Sequence, residues 1–511
     1  VKSLRIYIEK NEKYIVILLI ITGALFRLLF IGSIPAGLNQ DEASAGYEAW
    51  SLLHYGMDRN GAAWPVLFTA WGSGQNVLYS YLSIPFIALF GLNEISLRLV
   101  MGILGSVSLL IFWLTARKIR GVTFGLWALL VFTINPWHIM LSRWALESNL
   151  LPFMLLLGIY LLSLSNKKPW LLVASAAVFA LSLYAYGTAF LFLPFFLAAV
   201  SVVLLKRKEA IARVFITALI VFIIIALPIA LCNYLNITGR GEVKLLGLTL
   251  PALTETRQSS VTSFGGGISG AVSNFRLFMS ILLSQNDGLP WNSIKPYGIL
   301  YGPIGLVLSA LGIISYIIEL IRKKAHKNEI YIFIALISSL IAAFFIEANI
   351  NRMNMCFIPL IWFQAAGIAF ITGKIKLLAP VVAIVSIISG ALFTRNYFID
   401  YSKAIASYFY DGLGEAIAYA DRLDSGSLWL SYDINMPYIY VLFYTGYPAD
   451  DFVNTVEYMN PTGAFRWVSS FGAKYSFGYT PPEDSLCIIN ASEAENMEVL
   501  KVFGNYAVVK S

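Results

Sequence analysis

The run Tyr14-Ile15-Val16-Ile17-Leu18-Leu19-Ile20-Ile21-Thr22-Gly23-Ala24-Leu25-Phe26-Arg27-Leu28-Leu29-Phe30-Ile31 decides the fold class. At about 1.5 Å per helical residue it is long enough to cross a bilayer. Lys2, Arg5, Lys10 and Lys13 precede it, so the positive-inside rule expects that flank in the cytoplasm and the residues beyond the run outside. Those residues include Pro35-Ala36-Gly37-Leu38-Asn39-Gln40-Asp41-Glu42, two adjacent carboxylates opening an amphipathic segment at the membrane surface. The run has no small-residue cleavage site behind it and exceeds a signal h-region in length, so it reads as a retained span.

The rest of the chain agrees. Over 511 residues it is 58% hydrophobic and only 13% charged, outside the range of soluble globular domains and within that of polytopic helical membrane proteins. The formal charge of +7 comes from short basic clusters between apolar runs, which mark topology and touch lipid headgroups, so no nucleic-acid partner is expected. Cys232, Cys356 and Cys487 lie far apart without metal-site or redox spacing.

Further runs of membrane length lie at roughly 97–116, 122–136, 148–164, 169–184, 188–205, 211–231, 301–321, 330–346, 354–372 and 377–394, about 11 spans with the first. Clusters such as Arg117-Lys118-Ile119-Arg120, Lys206-Arg207-Lys208 and Arg322-Lys323-Lys324 then all fall in the cytoplasm. Val77 to Phe90 is too short to cross and contains Pro85, so it is expected to lie on the outer leaflet as a second juxtamembrane helix after 41–55. The expected division is a transmembrane catalytic domain over 1–394, with outer loops at 32–94 and 232–300, and a small extracytoplasmic α/β domain over 395–511. Strand-like pieces at 427–432, 485–490 and 507–510 support the latter. The protein is thus expected in the plasma membrane, with its N-terminus cytoplasmic and its C-terminal domain outside.

Asp41 and Glu42 are the leading chemical candidates, since a carboxylate held where a lipid presents its headgroup can act as general base on a hydroxyl. The competing reading is that Asp41 N-caps the following helix and Glu42 favours its dipole. Arg27 is a charge inside a span and is expected to face the bundle interior, pairing with a carboxylate or a phosphate. The loop 135–149 gathers His138, Arg143 and Glu147: a metal or hydroxyl ligand, a phosphate ligand and a supporting carboxylate. Arg257 in the long 232–300 loop and Arg352 in Asn349-Ile350-Asn351-Arg352 would add cations for a polyanionic headgroup. Each of these alone is more often an interfacial anchor or a cap.

The chain resembles the polytopic GT-C fold glycosyltransferases that use polyprenyl-phosphate sugars, in particular the protein O-mannosyltransferase (family 39) and lipid A aminoarabinose transferase group and their bacterial relatives. The likeness rests on the Asp41-Glu42 pair after the first span, the helix from Ala43 to Tyr55, Gly91-Leu92-Asn93-Glu94-Ile95-Ser96-Leu97-Arg98-Leu99, and the stretch from Pro136-Trp137-His138 through Ser142-Arg143 to Glu147-Ser148-Asn149. It covers roughly residues 14–205 and is looser through Asn351-Arg352. The resemblance implies transfer of a single sugar from an undecaprenyl-phosphate-like donor, with inversion, to an acceptor on the outer face: a protein, a lipid or a cell-wall glycopolymer. Asp41 would be the base, with Glu42 beside it and Glu147 in a further acidic position. Where relatives place a lysine before the second juxtamembrane helix, this chain has Gln75-Asn76, so Arg143, Arg257 or Arg352 would have to meet the donor phosphate, with Gln75 in the lysine's place. Some relatives bind a divalent metal; the three histidines here supply no ligand set, and the metal stays open.

A sugar phosphate already contains a good leaving group, so such an enzyme needs a base, a cationic clamp and exclusion of water. A lipid flippase or transporter, or a ligase or polymerase of lipid-linked glycans, would share the many spans. A flippase has no need of a carboxylate pair on an outer helix or of an outer α/β tail.

Overall fold

The computed structural model describes residues 10–208, 211–256, 262–263, 265–423, 426–495 and 497–511. Helix α1 (Glu12–Leu28) carries the first apolar run. Helix α2 (Gln40–Tyr55) starts at Asn39, whose side chain accepts from the Glu42 N–H at 2.9 Å while Glu42 Oε2 accepts from the Asn39 N–H at 3.4 Å. This capping box satisfies orphan donors of the first turn. It corrects one expectation: Asn39 is the N-cap, and Asp41 already lies inside the helix. Gly56, in the left-handed region at φ 67°, ends α2.

A short antiparallel pair, β1 (Leu67–Phe68) and β2 (Gln75–Asn76), precedes α3 (Leu78–Phe90). Tyr79 in the first turn of α3 donates its hydroxyl to Leu97 O at 3.0 Å, near the start of α4 (Glu94–Arg120), and the last turn of α3 runs through Asn93 into that same start. With both ends fixed to one end of α4, α3 lies across the bundle and does not span it.

The chain then passes through α5 (Val122–Thr133), α6 (Pro136–Leu141), α7 (Leu150–Leu164), α8 (Trp170–Leu181), α9 (Ala189–Lys206) and α10 (Ala212–Ile237). A hairpin of β3 (Val243–Leu245) and β4 (Leu248–Leu250) leads to α11 (Gly267–Ser284), followed by α12 (Gly302–Ile321), α13 (Ile330–Ala342), α14 (Asn354–Lys374) and α15 (Leu378–Arg395). Among the described residues, nine helices are long and apolar enough to cross a membrane, and the protein is multi-pass. Eight coincide with expected spans; the expected spans at 14–31, 122–136 and 169–184 are helical but shorter.

The ninth, α11, falls in the segment read as a loop. Its Asn274 Nδ2 donates to Phe344 O at 3.1 Å, just past the end of α13, and Gln285 at its far end accepts from the Leu300 N–H at 2.7 Å, before the start of α12. Helices α12 and α13 run antiparallel through a short turn, so these two anchors sit at the same end of the bundle. Helix α11 therefore lies along that end with Ile268 and Leu283 exposed, the arrangement of an interfacial amphipathic helix.

Helices α12 and α14 approach closely. A Cβ on Gly312 would fall 1.9 Å from Phe363 O, and one on Gly367 2.0 Å from Leu308 O, the small-residue packing typical of membrane helices. At the end of the bundle opposite α11, Arg120 donates from Nε to Glu329 and from Nη2 to Glu319, each at 2.7 Å, and Trp362 Nε1 donates to Glu329 at 2.7 Å. The basic cluster read as a topology marker thus also locks four helices together.

Helix α15 does not stop at residue 395. A π-turn over Asn396–Tyr401 carries the helical path on to Phe409. Beyond it lies a seven-stranded mixed sheet flanked by α16 (Leu413–Asp421), α17 (Pro437–Thr445) and α18 (Ala449–Thr455). The strands are β5 (Leu428–Ser431), β6 (Glu457–Tyr458), β7 (Val468–Phe471), β8 (Tyr475–Gly478), β9 (Leu486–Asn490), β10 (Glu498–Phe503) and β11 (Tyr506–Lys510), in the order β10-β11-β9-β5-β8-β7-β6. Central β5 runs parallel to both β8 and β9. The sheet domain docks on α2: Tyr47 donates its hydroxyl to Tyr447 O at 2.7 Å, and Gly46 leaves room for Phe443, which a Cβ would meet at 2.5 Å.

Candidate active site

Asp41 opens onto a cavity of about 740 Å³ between the bundle end and the sheet domain. One wall is the start of α2 with Asn39, Gln40 and Asp41. A second is apolar and aromatic: Trp144, Leu146, Trp291, Tyr408 and Phe409. The third belongs to the sheet, through Asp433, Asn435, Asn490, Ser492, Asn505 and Tyr506. Tyr410 joins helix and sheet, its hydroxyl accepting from the Asn435 N–H at 3.2 Å.

Asp41 is half-buried and lies in the first turn of α2. Its backbone is braced from behind. Gln75 Nε2 donates to Asp41 O at 3.3 Å, Gln75 Oε1 accepts from Ser44 Oγ at 2.9 Å, and Ser44 Oγ accepts from Arg59 Nη1 at 2.6 Å. Gln75 thus sits behind Asp41 and forms no wall of the cavity.

Glu42 points the other way. Arg98 donates to its two oxygens, Nε to Oε1 and Nη2 to Oε2, both at 2.8 Å, and the Ala145 N–H donates to Oε1 at 2.9 Å. Both side chains are fully buried. Arg98 also donates to the carbonyls of Pro35 and Gly37, each at 2.6 Å, so one guanidinium fixes the turn that delivers Asp41. Glu42 therefore holds α2, α4 and the 142–149 loop in register and does not line the cavity. Glu147 is buried too and accepts from the Asn76 N–H, tying the same loop to β2. The Gln75-Asn76 pair thus serves two braces, one behind Asp41 and one on Glu147.

The remaining expected ligands divide. Arg27 donates to Gly23 O at 2.8 Å, Phe132 O at 3.1 Å and His138 Nδ1 at 2.8 Å; a ring nitrogen accepting from arginine leaves the imidazole proton on Nε2. Arg143 donates to the carbonyls of Phe26, Phe30 and Ile34 at 3.0, 3.2 and 3.0 Å and lies over the ring of Phe398. Phe26 lies in the last turn of α1, whose C-terminal end a cation complements, and Phe30 and Ile34 lie in the turns just beyond it, so Arg143 ties the helix end to the segment that follows. Arg27, His138 and Arg143 are all buried, and none lines the cavity. Arg352 is the partly exposed one, at 21%, paired with Glu347 and next to the cavity-lining Asn351. Arg257 lies outside the described residues. For the divalent metal, no group of three or more His, Cys, Asp or Glu side chains able to hold an ion occurs among the described residues.

Two residues escaped the sequence reading. Arg98 carries a signal that could have revealed it: like Arg27 it is an arginine just inside a span, costly unless paired, and Glu42 is the adjacent partner. Asp433 carries none, because only the sheet's tertiary path brings it opposite Asp41's cavity.

The helical bundle, its end-lying helices and the small C-terminal sheet domain define the GT-C fold. Crystal structures of ArnT from Cupriavidus metallidurans share it: the apo form matches over 96% of this chain and 97% of its own at TM-score 0.55 and 13% identity, and the form bound to undecaprenyl phosphate over 97% of each at 0.57 and 12%. The apo oligosaccharyltransferase of Archaeoglobus fulgidus matches 84% of this chain and 63% of its own at TM-score 0.46 and 12% identity. No protein-family model and no curated protein sequence matches the chain.

Proposed function

We propose that this protein is an inverting membrane glycosyltransferase that moves one sugar from a polyprenyl-phosphate donor to an acceptor hydroxyl on the outer face of the membrane. The observation that carries the reading is the placement of Asp41: one carboxylate in a helix first turn, backed by Gln75 and open to a cavity walled by aromatic, amide and hydroxyl side chains. A lipid-borne donor is supported by a second, apolar groove of about 430 Å³ along α12, α14 and α15, lined by Tyr297, Tyr301, Leu308, Ile368 and Val385. It shares the Leu378–Phe409 helical path with the cavity, so a prenyl chain in the groove would bring its phosphate toward Asp41. The fold neighbour that binds undecaprenyl phosphate fits this donor class.

In the reaction, Asp41 takes the proton of the acceptor hydroxyl as its oxygen attacks the anomeric carbon. The bond from that carbon to the phosphate oxygen breaks on the opposite face, its electron pair leaving with polyprenyl phosphate, and a single displacement inverts the centre. Arg352, next in sequence to the cavity-lining Asn351, meets the departing phosphate. The aromatic wall keeps water from competing for the sugar.

The test is to incubate purified protein in liposomes with a membrane extract as the source of acceptor and a panel of labelled undecaprenyl-phosphate sugars. Consumption of one donor, with label leaving the lipid, is expected. Intact lipid crossing the bilayer with no donor consumed would make the protein a carrier, and transfer of a multi-sugar unit would make it a ligase.

A further inference from the structure

A separate apolar groove of about 160 Å³ lies among α7, α8, α9 and α10. It occupies the end of the bundle where Arg120 holds Glu319 and Glu329. There Arg207 Nη1, just past α9, donates to Lys327 O at 2.8 Å, and Asn328 Nδ2 donates to Ser163 O, in the last turn of α7, at 3.0 Å. The lining runs from Phe215 to Phe222 on α10 and from Leu197 to Leu204 on α9, about 10 Å along each helix. Leu162, Phe179, Val200 and Leu204 form buried walls, while Leu219 is half exposed. Small side chains leave the room: Ser175 and Ala176 on α8 and Ala218 on α10 line the groove, and Phe179 packs against Gly158, where a Cβ would meet its ring at 2.5 Å.

The end of the groove at Leu162, Leu172, Leu204 and Phe215 is flanked by cations. Lys167 and Lys168 lie between α7 and α8, and Lys206, Lys208 and Arg213 lie where α9 gives way to α10; all five are exposed. None of the five pairs with an acid among the described residues, and Glu209, the one acid in these two connections, lies outside them. Other arginines at this end are already engaged, Arg117 with Glu12 at 2.6 Å and Arg120 with its two glutamates. Trp170, 63% exposed at the start of α8, stands where an aromatic anchor meets the membrane–water interface. An apolar slot parallel to the helices that ends among unpaired cations complements an acyl chain with an anionic head, as basic pockets between transmembrane helices do.

We infer that this groove binds an anionic phospholipid, with one acyl chain among α8, α9 and α10 and its phosphate among Lys167, Lys168, Lys206, Lys208 and Arg213. The positive-inside rule expects this end of the bundle at the cytoplasmic leaflet, whose surface carries anionic lipid. A zwitterionic lipid would bring a choline cation into the same cluster and meet like charge. The groove shares no residue with the cavity beside Asp41 or with the groove along α12, α14 and α15, so the site stands independently of the transferase reading.

The test is native mass spectrometry of the full chain released from detergent micelles that contain equal amounts of phosphatidylglycerol and phosphatidylcholine. Wild type is expected to retain phosphatidylglycerol at least fivefold over phosphatidylcholine. The triple variant Lys206→Gln, Lys208→Gln, Arg213→Gln should lower that retention at least fivefold, roughly the contribution of a single basic residue at an anionic surface. Ala176→Phe, which fills the groove, should lower it as much; Ser201→Leu serves if that variant lacks a wild-type melting curve. Arg322→Gln, Lys323→Gln, Lys324→Gln removes as much charge from a turn whose helices do not line the groove, and it should leave retention unchanged. Equal retention of the two lipids, an equal loss in the 322–324 variant, or retention untouched by filling the groove overturns the inference. So does displacement of phosphatidylglycerol by an equal amount of undecaprenyl phosphate, which would make the groove a site for the donor lipid.

Discussion

Arg98 clasps both carboxylate oxygens of Glu42 at 2.8 Å inside the protein, while the neighbouring Asp41 faces a cavity. Two adjacent acids thus do different work, one holding the frame and the other open to chemistry. Breaking a buried pair by removing one partner leaves an uncompensated charge and costs about 3–5 kcal/mol. Arg98→Met and Glu42→Gln should therefore each lower the melting temperature in detergent markedly, and the double variant should lose less than the sum of the two.

Gln75 acts through Asp41. Gln75→Ala removes the bond to the Asp41 carbonyl and should lower kcat by roughly 10- to 100-fold, the scale on which a small misplacement of a catalytic group acts. Donor KM and the shape of the pH–rate profile should stay as in wild type, because the base itself is unchanged. A changed profile would mean that Gln75 takes part in proton transfer.

The α12–α14 contact is set by glycine. Gly312→Ala and Gly367→Ala each put a methyl group near 2 Å from a facing carbonyl oxygen, so the helices must separate. Overpacking of this kind costs about 1–3 kcal/mol. Both variants should melt earlier than wild type, and a control on the exposed face of α12, Val307→Ala, should shift much less.

Asp421 supports the sheet domain. Burial pushes its carboxyl up, but Lys474 Nζ at 2.6 Å and the Tyr475 hydroxyl at 2.7 Å outweigh that and hold it below the usual carboxylate range. A carboxyl depressed in the folded state stabilises the fold above its unfolded value of about 3.9, and that contribution disappears as the pH falls through the folded value. Asp421→Asn should therefore melt below wild type at pH 7, and the two curves should converge under acid. A gap that persisted in acid would show that the carboxylate charge is not the source of the stability.

Much of this architecture is legible in the residues, for reasons that can be named. Spans such as Ala212–Ile237 are marked by unbroken apolarity, and Leu486–Asn490 by its β-branched residues. The start of α2 is marked by Asn39 three residues before Glu42. Helix α11 escapes because Asn274 and Arg276 interrupt its apolar residues, leaving it the least hydropathic of the nine apolar helices, and because its glycine-rich start carries no side-chain cap. Within the site, Asp41 can be singled out because proline, glycine and asparagine punctuate the chain just before it. The inward turn of Glu42, and the engagement of Arg27, His138 and Arg143 by backbone carbonyls and each other, cannot be read from spacing. They depend on how the turns after α1 place the Phe30 and Ile34 carbonyls against Arg143. Asp433 belongs to the site only through the parallel pairing of β5 with β9, a long-range fact with no local signature.

The most direct test of the account compares Asp41→Asn with wild type in liposomes, using the labelled polyprenyl-phosphate sugar that wild type consumes and measuring donor binding and donor turnover in parallel. Loss of general-base catalysis predicts turnover reduced by about 10²–10⁴-fold with donor binding retained. Turnover within a few-fold of wild type would contradict the assignment of Asp41 as the base.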